Sequence, residues 1–432
     1  MRRFVFMVLA GLLGMHAFAE NNSTLPQHVN SVTAIHQVFG DGAKVKTIVI
    51  DYDAPVSNRN LKPTTFDVAG KKILRVYANT KGEADTKGRD GHFVIIELQA
   101  ATDLNAQPRR QTPADEQKKK ERDKMMGGPG LRAGWSTGGD DMYVDSLVIT
   151  QKAPIRTVGG KVYEASGISF SSTVNRYLVA DDFQQQSFRS PYTGQTLPYN
   201  LYLPKNYNSK KNYPLVLFIH DAGVASSPVK TPLIQGRGAV TWAEPQWQAE
   251  HPCIVVAPEY PYVTVDDNWN YSHHLDATVA LLKELMQKYA VNEHRIYVTG
   301  QSMGCMSSMV LMLKEPRLFA GALLVAGKWE PDVLAPLAEQ NLWIISCEGD
   351  ASSTKLQNKA VNFWRSNGAT VSEATWDMKA APADLSAEAK AMVSPAVHLY
   401  YTHLTGGSHR ATWFVAYDID GVKEWLFSQK RK

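Results

Sequence analysis

The pentapeptide Gly300-Gln301-Ser302-Met303-Gly304 has the form G-x-S-x-G, in which a tight turn between a strand and a helix lifts a serine hydroxyl clear of the backbone. A second copy, Gly134-Trp135-Ser136-Thr137-Gly138, shows that the pattern alone decides nothing. Context separates the two. Arg295-Ile296-Tyr297-Val298-Thr299 supplies a strand ahead of Ser302, and the apolar run at 306–313 supplies a helix behind it. The earlier copy follows a Gly/Pro-rich loop and runs into Gly139-Asp140-Asp141, so it reads as a turn. At positions 300 and 304 a side chain would collide with the neighbouring strand or helix, which accounts for both glycines.

A serine hydroxyl attacks an acyl carbon only when a base takes its proton, and an acid must orient that base. After a strand–serine–helix elbow the acid comes next in the chain and the histidine last. The strand at 342–346 runs into Cys347-Glu348-Gly349-Asp350, which makes Asp350 the expected acid and Glu348 the reserve. Of the histidines that follow, His409 stands in Thr405-Gly406-Gly407-Ser408-His409, a glycine-softened loop ahead of the last helix, and is the expected base. His398 and His403 flank or lie within a strand and read as structural. The oxyanion donors are expected to be the amide of Met303 and one from His220-Asp221-Ala222-Gly223, with Ala222 first and Gly223 as alternative. His220 ends an early strand, so it reads as structural.

These residues need a scaffold, and the pattern from about residue 197 provides one. Continuous apolar runs at 214–219, 254–257, 296–299, 319–325 and 342–346 alternate with helical segments at 275–289 and 413–427. Such runs mark parallel strands buried on both faces, with helices covering the sheet. The Ala- and Lys-rich stretch between Thr370 and His398 is either a helix over the site or a surface excursion. The first third of the chain differs. Short alternating strands at 45–50, 73–77, 93–98 and 146–150, separated by Gly/Asp turns, predict a small β-sandwich. A mixed-charge stretch at 105–130 reads as a solvated insertion in it.

With 44% hydrophobic and 20% charged residues in 432, the chain has enough apolar surface for two packed domains and is not a disordered or fibrous protein. A net charge of +4 is too small to argue for nucleic acid. Arg2 and Arg3, sixteen uncharged residues and Ala17-Phe18-Ala19 read as a signal peptide, cleaved after Ala19, which predicts a secreted or periplasmic protein. No other run is long and apolar enough to span a membrane. Cys253, Cys305 and Cys347 lie in or beside apolar runs and read as buried thiols, not a disulfide framework. No H-E-x-x-H, P-loop or dinucleotide fingerprint occurs, and adjacent His273-His274 lack the spacing for a shared metal, so neither metal nor cofactor is expected.

The combination of Leu197-Pro198-Tyr199-Asn200-Leu201-Tyr202-Leu203-Pro204, His220-Asp221-Ala222-Gly223, Trp242-Ala243-Glu244-Pro245, the strand and elbow at 295–304, and the ending with His409, Trp413, Tyr417 and Trp425 resembles bacterial secreted α/β-hydrolases of the esterase and polyhydroxybutyrate-depolymerase-like group, some of them labelled predicted peptidases. Val38-Phe39-Gly40-Asp41-Gly42 and Thr65-Phe66-Asp67-Val68 are similar to the immunoglobulin-like domain that precedes some of these esterases. The resemblance implies a signal peptide at 1–19, an immunoglobulin-like β-sandwich over 27–166 and an α/β-hydrolase domain over 183–432. It also implies a Ser302–Asp350–His409 triad cleaving small-molecule or polysaccharide-linked esters. Asp221 and Trp269 are the expected substrate-binding side chains. Two departures stand out: Asp221 replaces the usual glycine after the oxyanion-loop histidine, and Cys305 replaces the usual second glycine after the elbow. Asp221 puts a carboxylate beside a developing negative charge, unless its side chain points away. Amide hydrolysis at the same serine, and an inactive hydrolase fold that only binds, stay open, as does the oligomeric state.

Overall fold

The computed structural model describes residues 25–106, 147–165 and 167–431. The segment 1–19, nearly all of the insertion at 105–130 and the second serine motif at 134–138 lie outside the described residues.

In the front domain β1 (Val29–Phe39), β2 (Gly42–Val56), β4 (Ile73–Asn79) and β5 (Gly91–Leu98) form antiparallel neighbours. Their sheet has the order β10-β1-β2-β5-β4, where β10 (Val174–Tyr177) joins in parallel from the stretch between the two expected domains. A second sheet, β3 (Phe66–Val68), β6 (Ile149–Gln151) and β9 (Ser169–Phe170), packs on it. Ile48, Ile50 and Ile96 from the first sheet meet Phe66, Ile149 and Phe170 from the second in one core, as alternating strands in two layers should. A short pair, β7 (Ile155–Arg156) and β8 (Val162–Tyr163), completes the domain. The tip of the β1–β2 hairpin rests on the second domain. A Cβ on Gly40 would strike the backbone of Phe414, and Val38 and Ala43 share a core with that residue.

The second domain is built on nine strands in the order β11-β12-β14-β13-β15-β16-β17-β19-β18. β11 (Gln184–Arg189), β12 (Thr196–Tyr202) and β14 (Ile254–Pro258) pair antiparallel. From β14 onward the strands run parallel: β13 (Tyr213–Ile219), β15 (Val291–Gln301), β16 (Gly321–Val325), β17 (Leu342–Cys347), β19 (Leu399–Thr405) and β18 (Val371–Asp377). The continuous apolar runs are explained by two cores, one on each face. In β13, Val216 and Phe218 enter one core while Leu215, Leu217 and Ile219 enter the other. This is the α/β-hydrolase architecture.

The longer helices are α1 (His274–Lys288), α2 (Met303–Lys314), α3 (Ala351–Ser366), α4 (Pro382–Met392), α5 (His409–Ala416) and α6 (Asp420–Ser428). α1, α2 and α3 cover one face; α4, α5 and α6 cover the other. The single closing helix read at 413–427 is two, because the chain turns at Tyr417–Ile419, where Asp418 pairs with Arg237. The Thr370–His398 stretch forms edge strand β18 and helix α4. Leu385 and Ala389 of α4 pack into the α6 core, and a Cβ on Gly421 would strike the Ser386 carbonyl, so the helix lies away from the serine. All three cysteines are free and buried. No described helix is long and apolar enough to cross a membrane.

Candidate active site

Ser302 sits between the C-terminal end of β15 and the first turn of α2, at φ 54° and ψ −117°. That is a region a side chain occupies only when its surroundings hold it there. The surroundings are backbone. A Cβ on Gly304 would overlap the Ile219 carbonyl, and one on Gly300 would overlap the Gly304 carbonyl. Main-chain bonds lock the turn: the Ser302 amide donates to Val325 O at 3.0 Å, and its carbonyl accepts from the Met306 amide at 3.1 Å.

The acid and base arrive on two loops that touch. A Cβ on Gly349 would overlap the Gly407 carbonyl, and Gly406 and Gly407 take φ of 69° and 73°, which glycine adopts without cost. The Glu348 amide donates to Leu404 O at 2.9 Å, and the Glu348 carboxylate accepts from the Gly406 amide at 2.8 Å. The reserve acid is therefore occupied in tying the loops together. Asp350, 6% exposed, caps α3 by accepting from the Ser353 amide at 3.4 Å. Its other oxygen lies 2.5 Å from His409 Nδ1, and His409 Nε2 lies 2.8 Å from Ser302 Oγ. Burial pushes the Asp350 carboxyl up, but the His409 ring and the Ser353 donors outweigh it and hold the group below the usual carboxylate range. A carboxylate there fixes Nδ1–H on the imidazole and leaves Nε2 to accept the serine proton. His409 is the first residue of α5, capped by Ser408, and its ring stands edge-on to Trp413 at 5.1 Å.

Ser302, Asp350 and His409 line a cleft of about 370 Å³ together with Met303 and Ala222. Met303 opens α2 and Ala222 opens a short 3-10 turn, so neither amide has a carbonyl within its own helix. The Gly223 amide is taken, since it donates to Asp221 Oδ1 at 2.9 Å. Asp221 itself is turned inward. Its second oxygen accepts from Gln301 Nε2 at 3.0 Å, it is 5% exposed, and it is not among the residues lining the cleft. The carboxylate expected beside substrate is thus spent on shaping the oxyanion loop, drawn in by two N–H donors. Trp269 also stands outside the lining. It lies on the loop after β14, at φ 64°, edge-on to Trp329 at 5.3 Å.

Below the loop, His220 is fully buried. Its Nδ1 donates to Asp221 O at 2.7 Å, and its Nε2 accepts from the Tyr260 amide at 3.1 Å, the pattern of a neutral ring. Burial lowers the His220 pKa and raises that of Glu259, 3.4 Å away, well above the carboxylate range, and both shifts favour the uncharged forms. His398 and His403 bond Ala338 O and Ser346 Oγ, at 2.7 and 3.4 Å. Burial raises the thiol of Cys305, whose side chain a Cβ on Gly327 would overlap.

Sequence reasoning missed the cleft walls: Val263, Val265, Asp266 and Asp267 after β14, and Lys328 after β16. The signal for Lys328 was its place just beyond a parallel strand's C-terminal end, where ligands of open α/β sheets bind. Among the described residues no group of three or more His, Cys, Asp or Glu is arranged to hold a metal.

Two family profiles match the chain: an esterase immunoglobulin-like N-terminal domain over residues 31–164 and a putative esterase domain over 190–418. Among solved structures, a thermostable esterase superimposes with a TM-score of 0.73 at 26% identity, covering 93% of this chain and 100% of that one. A ferulic acid esterase from Anaeromyces mucronatus, solved with ferulic acid, matches at 12% identity with a TM-score of 0.41, over 56% of this chain and 89% of that one. No curated protein matches by sequence.

Proposed function

Since the chain belongs to the putative esterase family and is a hydrolase of esters, we propose that it cleaves carboxylic esters of small acyl or aryl acids, feruloyl-type esters included, through an acyl-enzyme on Ser302. The observation that carries the reading is His409 standing between Ser302 Oγ at 2.8 Å and Asp350 at 2.5 Å inside the cleft. In the first half-reaction Oγ attacks the ester carbonyl carbon as His409 Nε2 takes its proton. The oxyanion accepts from the Met303 and Ala222 amides, each such donor being worth roughly a hundredfold or more in rate. Collapse breaks the bond to the alcohol oxygen, which leaves with the proton from Nε2. Water then gives a proton to Nε2 and attacks the acyl carbon, and the acid departs as Ser302 regains its hydrogen. Asp350 stays ionised throughout and stabilises the imidazolium. A cleft of about 370 Å³ suits a short or single-ring acyl group.

The test is hydrolysis of aryl esters from acetyl to octanoyl, with a feruloyl ester, by the native protein and by Ser302→Ala. The expected result is a loss of roughly 10⁴-fold or more in the variant. Undiminished turnover by Ser302→Ala, or faster cleavage of a matched anilide than of the ester, would overturn the reading. The charged start and uncharged run of residues 1–19 support export with cleavage after Ala19. An amino terminus other than Glu20 on exported protein would refute that cleavage site.

A further inference from the structure

The triad and oxyanion donors leave one charged pair in the cleft without a use. Lys328 Nζ lies 3.1 Å from Asp267 Oδ1, and both residues line the cleft with Ser302. They arrive from opposite sides. Asp267 follows β14 and Lys328 follows β16, while the elbow strand β15 lies between them in the sheet order β14-β13-β15-β16. The pair therefore joins the two walls beside the serine. The other acid of the walls, Asp266, is spent: it is 2% exposed and accepts from the Asn268 and Asn270 amides at 2.9 and 3.0 Å and from Asn270 Nδ2 at 3.1 Å. Asp267 is held differently. Its side chain is 34% exposed against 19% for Lys328, so the carboxylate is the member with readier access to water. Val263, Val265, Met303 and Met306 make most of the remaining wall apolar, with Ser352 and Ser353 beside Asp350. An ammonium with a removable counter-ion in a mainly apolar cleft is a receptor for a second carboxylate, because exchanging one carboxylate for another keeps the ion pair intact.

We propose that Lys328 is a specificity-determining residue that takes the carboxylate of an anionic ester, such as a dicarboxylic half-ester, in place of Asp267. The inference rests on Ser302 being the nucleophile of an ester hydrolase. It predicts that the cleft sorts substrates by charge as well as size.

The test uses three aryl esters with the same leaving group and an acyl part that is neutral (butyrate), anionic (hemisuccinate) or cationic (4-trimethylammoniobutyrate). Native protein, Lys328→Met and Asp267→Asn are compared in 0.15 M salt, where charges beyond about 8 Å are screened. The reading is the ratio of kcat/KM for the anionic ester to that for the neutral one. Lys328→Met is expected to lower this ratio at least tenfold, and Asp267→Asn to raise it. If the pair were only a latch between the walls, both variants would move all three rates together and the ratio would stand still, which would overturn the proposal. A native preference for the cationic ester, lost in Asp267→Asn, would overturn it in favour of Asp267 as the receptor. Calorimetric binding of the hemisuccinate ester to Ser302→Ala, with and without Lys328→Met, reads the same contact without turnover. Persistent turnover by Ser302→Ala would sink the nucleophile assignment and leave that binding comparison to judge Lys328. Equal binding by the two proteins would sink the role of Lys328.

Discussion

The elbow and the acid–base loops deliver their side chains to one point by different means. Around Ser302 the constraint is steric: strand, turn and helix approach so closely that positions 300 and 304 have no room for a Cβ. Around Asp350 and His409 the constraint is mainly polar: Glu348 ties the two loops through Leu404 O and the Gly406 amide, Asp350 caps its own helix α3, and the close approach of Gly349 to Gly407 is the one steric contact between them. A steric constraint fails through the fold, whereas a polar one fails through the chemistry. Variants in the two regions should therefore separate stability from turnover.

After the loss of the nucleophile itself, the largest effect is expected from Asp350→Asn. It keeps the shape of the cap but removes the charge that fixes the His409 tautomer, and kcat should fall by roughly 10³- to 10⁴-fold with little change in Tm. A drop of less than tenfold would mean that the base is oriented by something else. Gly304→Ala should do the reverse. Its Cβ overlaps the Ile219 carbonyl, so the strand or helix must shift, at a cost of about 2–4 kcal/mol in denaturant unfolding. Unchanged stability would show that the elbow is looser than its contacts imply. The smallest effect is expected from Glu348→Ala. The lost bond to Gly406 is exposed and worth about 1 kcal/mol at most, so kcat should fall only two- to fivefold. A loss approaching that of Asp350→Asn would reverse the roles of the two acids.

The same contrast explains what the sequence disclosed. The elbow was legible because its glycines and flanking apolar runs are local, and chain order then pointed to Asp350 and His409, which the structure brings together with Ser302. The direction of Asp221 was not legible. It depends on Gln301, eighty residues away, and on a competition for the Gly223 amide that no spacing reveals. Nor were the cleft walls. Asp267 and Lys328 meet across β13 and β15, the two strands that stand between β14 and β16 in the sheet, a juxtaposition of distant loops that no spacing reveals. Trp269 is an aromatic residue near the right strand, but its ring packs on Trp329 and it is not among the residues lining the cleft. The closing helix was read as one because Tyr417 and Ile419 continue the apolar face. Where it breaks, Asp418 pairs with Arg237, a contact across 181 residues of chain that the apolar pattern does not report.

The three buried thiols bear on how the molecule behaves in different redox surroundings. Cys305 lies under the elbow and Cys347 beside the acid loop, and Cys253 ends the approach to β14. Burial raises all three, Cys253 to about 12, so almost no thiolate exists at neutral pH to attack a disulfide or an alkylating reagent. The fold has no covalent cross-link for a reductant to cut and scarcely any thiolate for a disulfide-forming oxidant to find. Its cohesion is the same whether the surrounding medium is oxidising or reducing.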